Sequence, residues 1–242
     1  MPRLDAYLVD AGLARSREAA KAMIAAGQVR VGGAVARKPA ARVPDGAAVQ
    51  AARPDPWVSR GAHKLLAGLD AFGIEPAGRV CLDLGASTGG FTQVLLSRGA
   101  ARVYAVDVGR DQLAASLRAD PRVVSLEGTH ARDVDGAMIP EACDLLVCDV
   151  SFIGLTKALP PVLPRLAAGA AAVLLVKPQF EVGRARIGKN GLVRDQDALP
   201  AWLEAEMLPA LEGIGLRILG WTESPIRGGD GNTEFLVGAA RA

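Results

Sequence analysis

A lysine and an aspartate each stand directly after an apolar run. Lys177 follows Val173-Leu-Leu-Val176, and Asp149 follows Leu145-Leu-Val-Cys148. A charge placed directly after a buried strand lies at its carboxyl end, the edge where open α/β sheets bind ligands. Glu234 opens a late strand in Gly-Asn-Thr-Glu-Phe, and Lys64 sits upstream in Ser-Arg-Gly-Ala-His-Lys-Leu. Singly, each reads as readily as a salt bridge or a solvated charge. Together, Lys64, Asp149, Lys177 and Glu234 suit removal of a proton from a weak nucleophile. A lysine desolvated or crowded by cations can act as a base, and a second lysine can steady a developing oxyanion or a phosphate. Neighbouring carboxylates orient the amine and oppose that change, so the net protonation stays open at this level.

A second group surrounds a glycine-rich turn, Gly85-Ala-Ser-Thr-Gly-Gly90, preceded by Asp83 and followed by Asp107. A dinucleotide site needs a glycine at the middle position, where backbone meets pyrophosphate. That position is Ser87, and no Gly-Lys-[Ser/Thr] phosphate loop exists either. A ligand without phosphate fits better. Gly85 and Gly89 permit a close turn, Asp83 can face a cationic group, and Asp107 can accept from two ribose hydroxyls. These demands describe S-adenosylmethionine, with its amino-acid end near Asp83 and Gly85 and its ribose at Asp107. The plainer alternative is a tight turn with a capping aspartate. Joined to the lysine-carboxylate set, the cofactor reading gives methyl transfer to a sugar hydroxyl. An amine methyltransferase would favour [Asn/Asp]-Pro-Pro-[Tyr/Phe] where this chain has Asp149-Val-Ser-Phe152. Cys148, the nearest thiol, falls on the core side by strand alternation.

The elements that must position these groups alternate. Strands are expected at 79–84, 102–106, 122–126, 142–148, 170–176, 216–221 and 233–239, with helices at 91–98, 109–118, 155–166 and 200–213. Such alternation predicts a doubly wound α/β sheet. Three cysteines form no closed disulfide set, and two histidines without a Cys-x-x-Cys pair exclude a structural zinc site, so no metal is expected. No run of 18 apolar residues and no signal peptide is present, which predicts a cytoplasmic protein.

Ahead of this body lies a basic module. Residues 1–64 carry 11 Lys or Arg against 5 Asp or Glu, while the remainder is net acidic. Residues 2–12 read as a helix with Leu4, Leu8 and Leu13 on one side. Ser16 is placed to cap a second helix, and a Val29–Val31 strand turns at Gly32-Gly33. Arg3, Arg15, Arg17, Lys21 and Arg30 suit contacts to a phosphate backbone. With Tyr7 as the one aromatic before Trp57, base stacking is not its mode. Residues 53–59, beginning Arg53-Pro-Asp-Pro-Trp57, read as a stiff linker between a module at 1–52 and a body at 60–242. Residues 181–197, with three glycines and the cations Arg184, Arg186, Lys189 and Arg194, read as a mobile RNA-contacting loop.

Residues 3–50, from Arg-Leu-Asp-Ala-Tyr to Val-Arg-Val-Gly-Gly, resemble an S4 domain, a small RNA-binding module. Asp83-x-Gly85-x-x-x-Gly89 resembles the first motif of class I methyltransferases. The Lys-Asp-Lys-Glu set resembles the tetrad of FtsJ-like ribose 2′-O-methyltransferases, in which Lys177 would be the base. The whole chain resembles the TlyA family, which joins the two domains. The resemblance runs through Ser59-Arg-Gly-Ala-His-Lys64, Asp149-Val-Ser-Phe-Ile153, Lys177-Pro-Gln-Phe-Glu181 and the segment 188–195. It implies an α/β class I S-adenosylmethionine-dependent methyltransferase fold behind a small α+β S4 domain. It also implies methylation of cytidine 2′-OH groups in ribosomal RNA. The intersubunit helix of 23S rRNA is the common target, and some members also modify 16S rRNA. Short ends resemble the members restricted to the large subunit. His130 stands where the family more often has Asn, near the expected adenine. The alternative is an RNA-binding assembly factor with a degenerate methyltransferase fold. Family members share a haemolysin label, but no free amphipathic helix suggests pore formation.

Overall fold

The computed structural model describes residues 1–51 and 55–242; positions 53 and 54 of the expected linker, and residue 52 of the expected module, lie outside the described residues. The chain divides into two compact units, Met1–Pro56 and Trp57–Ala242.

The first unit opens with α1 (Leu4–Asp10) and α2 (Arg17–Ala25). Ser16 caps α2 by accepting the Ala19 N–H at 3.2 Å. Strand β1 (Val29–Val31) pairs antiparallel with both β2 (Ala34–Val35) and β3 (Val49–Ala51). Gly32 and Gly33 make the β1–β2 turn, each with φ in the left-handed region. Leu4, Leu8, Ala20, Ile24, Val29 and Val43 form the core.

The second unit contains α3 (Gly61–Phe72), β4 (Val80–Leu84), α4 (Gly90–Ser97), β5 (Arg102–Asp107), α5 (Ala115–Arg118), β6 (Val123–Glu127) and β7 (Cys143–Cys148). After them come α6 (Leu155–Ala158), β8 (Leu166–Val176), α7 (Leu199–Trp202), α8 (Leu208–Gly213), β9 (Leu216–Glu223) and β10 (Phe235–Arg241). The seven-stranded sheet runs β6-β5-β4-β7-β8-β10-β9. The first five strands are parallel, and β10 lies antiparallel between β8 and β9. Alternating strand residues feed two cores. Leu82, Leu84, Leu146 and Leu174 enter one; Cys81, Leu145, Val147 and Val173 enter the other. Gly68 lets α3 sit close to the sheet, since a Cβ there would lie 2.7 Å from Val173.

Three helices differ from expectation. Of 109–118, only Ala115–Arg118 is helical. Asp107 takes the Gly109 N–H at 2.6 Å, and Glu127 takes those of Gln112 and Leu113 at 2.7 and 3.0 Å. Side-chain acceptors thus divert the donors an earlier helix start would need. Of 155–166, α6 stops after Ala158, before Pro160-Pro161, and residues from Leu166 already belong to β8. The 199–213 helix is interrupted by a π turn at Leu203–Met207. Pro209, just after it in the first turn of α8, has no N–H to give to the carbonyl of Ala205, four residues back.

Candidate active site

Four ends of the parallel strands deliver the chemistry to one edge. Strand β4 carries Asp83 and runs into the loop Gly85–Gly90, while β5 ends on Asp107. Asp149 follows β7, and Lys177 follows β8. Lys64 comes from α3, one turn before Gly68, and Glu234 directly precedes β10. A cleft of about 240 Å³ is lined by Lys64 and Asp149 of the first group and by Gly85, Ser87 and Gly90 of the glycine-rich turn.

The four charges form two ion pairs. Lys64 and Glu234, both buried, bond directly through Nζ and Oε2. Lys177 Nζ lies 2.5 Å from Asp149 Oδ1 and donates to Ser151 Oγ at 2.9 Å. Asp149 Oδ1 has no donor in hydrogen-bonding alignment, so that contact is an ion pair while Ser151 holds the directed bond.

The loop is shaped by backbone packing. A Cβ on Gly85 would lie 2.5 Å from the carbonyl oxygen of Asp149, and Gly85 has φ +89°. Besides the close turn expected of it, Gly85 admits the backbone that carries Asp149. Ser87 also has positive φ, +47°, and its N–H donates to Asp107 Oδ2 at 2.8 Å. Gly89, at φ +95°, leads into α4 against Leu113 and Leu117. Asp107 holds the Gly109 N–H with its other oxygen, so each carboxylate oxygen keeps a lone pair for a further donor. His130 is exposed, in the turn after β6.

Asp83 is fully buried. Its Oδ2 accepts from Thr92 Oγ1 at 2.6 Å, while Oδ1 has no partner. Burial pushes its carboxyl up to about 7; the Thr92 bond opposes this, and the Asp149 and Asp107 carboxylates add to it. An orphaned carboxylate oxygen among like charges calls for a cationic donor. Together with the spare acceptor positions on Asp107, this fits the ammonium and ribose of S-adenosylmethionine.

Burial raises the thiols of Cys81 and Cys143 to about 12 and that of Cys148 still further, so none is poised as a thiolate nucleophile.

Spacing did not single out Ser151 or Thr92 as partners of Lys177 and Asp83. It also passed over Phe152, which is 92% exposed at φ +66° and packs on Phe180 with ring centroids 5.2 Å apart. An exposed aromatic held in a strained conformation beside Asp149 and Ser151 offers a face for a base. The motif Asp149-Val-Ser-Phe contained that signal.

Several expected RNA contacts have internal partners. In the first unit, Asp5 is fully buried and is bound by both nitrogens of the Arg3 fork at 3.0 Å and by Arg17 at 3.2 Å. These guanidiniums, Arg3 first, hold the Asp5 carboxyl well below the usual range. Two guanidiniums against one carboxylate leave a net positive charge, and both side chains stay partly exposed. Lys21 pairs with Glu18 at 2.6 Å, and Arg30 donates to the Gly33 carbonyl at 3.0 Å. Arg15 is exposed. In the second unit, Arg186 pairs with Glu206 at 3.1 Å, while Arg184 and Lys189 are exposed. The 181–197 segment has more structure than a loop without period implies. Arg184–Arg186 form a 3₁₀ turn, and Ile187 bridges Val193.

The S4 domain family matches residues 2–49, and the FtsJ-like methyltransferase family matches residues 57–241. The chain is 49% identical over 237 residues to the 16S/23S rRNA (cytidine-2′-O)-methyltransferase TlyA of Mycobacterium tuberculosis, covering 97% of this chain and 88% of that one. It is 40% identical to Hemolysin A of Brachyspira hyodysenteriae, covering 97% and 98%. A hemolysin-named protein of solved structure from Streptococcus thermophilus superposes with a TM-score of 0.77 at 39% identity, over 100% of this chain and 88% of that one. The second unit also shares its fold with an S-adenosylmethionine-dependent methyltransferase from Mesorhizobium loti, at a TM-score of 0.54, 20% identity and coverage of 75% and 99%. The sheet order, the strand-end site and the agreement along nearly the whole sequence converge: the chain belongs to the TlyA family, an S4 domain joined to an FtsJ-like methyltransferase of the class I fold.

Proposed function

We propose that the protein is an S-adenosylmethionine-dependent rRNA (cytidine-2′-O)-methyltransferase, acting in the cytoplasm on a cytidine of the 23S rRNA intersubunit helix and, as a second substrate to be tested, on 16S rRNA. The observation that carries this reading is the Lys177–Asp149 pair, 2.5 Å apart, at the sheet edge that also holds the Gly85–Gly90 loop. Asp83, Gly85, Ser87, Gly89, Asp107 and His130 would form the cofactor site. Asp83 would answer the ammonium, Asp107 the ribose hydroxyls, and His130 would lie by the adenine.

Held by these residues, S-adenosylmethionine would supply an electrophilic methyl group on a sulfonium, whose sulfur would keep the bonding pair. Lys177, paired as an ammonium with Asp149, would first release a proton to solvent; the resulting amine would then take the 2′-OH proton as the ribose oxygen is methylated. Asp149 and Ser151 fix the direction of the Lys177 amine. Lys64, held by Glu234, places a cation beside the developing oxyanion or the adjoining phosphate. Arg3, Arg15, Arg17, Lys21 and Arg30 of the S4 domain, with Arg184, Arg186 and Lys189, would meet RNA phosphates.

Incubation with labelled cofactor and separated, unmodified 30S and 50S subunits tests the reading, followed by mapping of the labelled nucleotide. Label on a cytidine ribose supports it. Particle binding without any methyl incorporation would make the protein an assembly factor instead.

A further inference from the structure

A groove of about 710 Å³ lies outside the candidate active site, between residues 188–197 and the β9–β10 connection. We propose that it binds the RNA nucleotide chain beside the target, with Arg194 and Arg227 holding phosphate. The inference rests on the functional reading above and adds a contact surface to it.

The groove is held by side chains rather than left to chance. Asn232 is fully buried; its Oδ1 accepts the Val193 N–H at 2.9 Å, and its Nδ2 donates to the Gly191 carbonyl at 3.1 Å. Gln196 Oε1 accepts from the Thr233 N–H at 3.2 Å and from Thr233 Oγ1 at 2.9 Å. The loop is thereby tied to the two residues that directly precede Glu234, the partner of Lys64.

Charge then points to the ligand. Among the described residues, neither Arg194 nor Arg227 forms an ion pair, although Asp195 and Asp197 also line the groove. Arg194 spends only Nε, on the Ile187 carbonyl at 3.3 Å. Arg227 spends only one terminal nitrogen, on Gly231 and Gln196 at 3.3 and 3.4 Å. Asp195 is occupied with the Ala198 N–H at 3.2 Å, at the start of α7. Two exposed guanidiniums keep donor forks open in the geometry that phosphate accepts bidentately. The carboxylates make the groove mixed in charge, which suits a nucleotide over a bare anion, because carboxylates accept from base amino edges.

The test is the exposed double variant Arg194→Ala/Arg227→Ala, assayed beside the wild-type protein on unmodified 30S and 50S subunits. The expected result is a KM for the subunit raised tenfold or more, with kcat within twofold and cofactor affinity unchanged. The slope of log affinity against log salt should shrink by about 0.7–0.9 per lost phosphate contact. Unchanged KM and salt slope, with an active wild-type protein, overturn the groove while leaving the methyltransferase reading intact. A fall in kcat at constant KM overturns it too, since the arginines would then act on the active site rather than on RNA. A wild-type protein that methylates neither subunit overturns the functional reading and this inference with it.

Discussion

Replacing Asp83 by asparagine separates what the cofactor needs from what the empty fold prefers. The carboxyl is fully buried, with one oxygen bonded to Thr92 and the other unpartnered, and burial pushes it up to about 7. An unfolded chain would ionise it near the ordinary value of about 4. The folded state therefore holds an extra proton between roughly pH 4 and 7. Without cofactor, wild-type stability falls as pH rises through that window and levels off above it. Three powers of ten in proton affinity correspond to about 4 kcal/mol, an upper figure for the penalty above pH 7. The substituted amide keeps an acceptor for the Thr92 hydroxyl and carries no charge, so Asp83→Asn should remove the slope and stabilise the cofactor-free protein at pH 8. Cofactor binding moves the other way. An ionised Asp83 attracts an ammonium, so wild-type affinity should rise as pH passes through 7. The variant should bind about tenfold or more weakly, the scale of a lost hydrogen bond to a charged group. Urea unfolding from pH 5 to 8, paired with calorimetric titration of S-adenosylmethionine, reads both effects. Parallel stability profiles for the two proteins would refute the burial argument. Equal cofactor affinities would refute the role given to Asp83.

Asp107→Ala should weaken S-adenosylmethionine binding by about 1–3 kcal/mol in calorimetry, because it removes the ribose acceptor and also releases the Ser87 and Gly109 N–H groups that Asp107 now holds. Lys177→Ala should lower turnover about 10²-fold or more while leaving cofactor affinity intact. Lys177→Arg should not restore it, since a guanidinium stays protonated; near-normal turnover by the arginine variant, with an unaltered pH–rate profile, would reduce Lys177 to an electrostatic role. In the S4 domain, Lys21→Ala should reduce the salt dependence of RNA binding by about one contact with little change in stability. Arg17→Ala should do the same and also lower the melting temperature near neutral pH, because Arg17 helps hold the buried Asp5 carboxylate. Its destabilisation should fade in acid, since a depressed carboxyl contributes above its unfolded value and loses that contribution as pH falls.

The sheet was legible because buried strands, glycine turns and strand-end charges follow one another in register with the chain. Val173-Leu-Leu-Val176 before Lys177 and Leu145-Leu-Val-Cys148 before Asp149 mark both the strand and the edge at which it ends. The short helices were less legible. What ended them early was a prolyl pair after α6 and side-chain acceptors, Asp107 and Glu127, reaching from neighbouring strands. A periodicity argument sees the apolar face of 109–118 and cannot see an acceptor that arrives from β6. The same limit applied to Arg3 and Arg17. Read in sequence they are surface cations, and only packing reveals the buried Asp5 between them.

Pairing within the site depends on topology more than on spacing. Lys64 and Glu234 are 170 residues apart and meet because α3 lies on the sheet next to β8 and β10, at the close approach that Gly68 allows. Lys177 and Asp149 meet because β7 and β8 are parallel neighbours that end together. Gly85 then joins these pairs to the cofactor loop. Its missing side chain leaves room for the Asp149 carbonyl, at a separation no Cβ could tolerate. Any side chain at residue 85 would displace the backbone on which Asp149 stands and, through it, the amine of Lys177. The glycine thus serves the acid on the neighbouring strand as well as the turn, and the Asp149 N–H, bonded to the Leu84 carbonyl at 2.9 Å, ties the same two segments together.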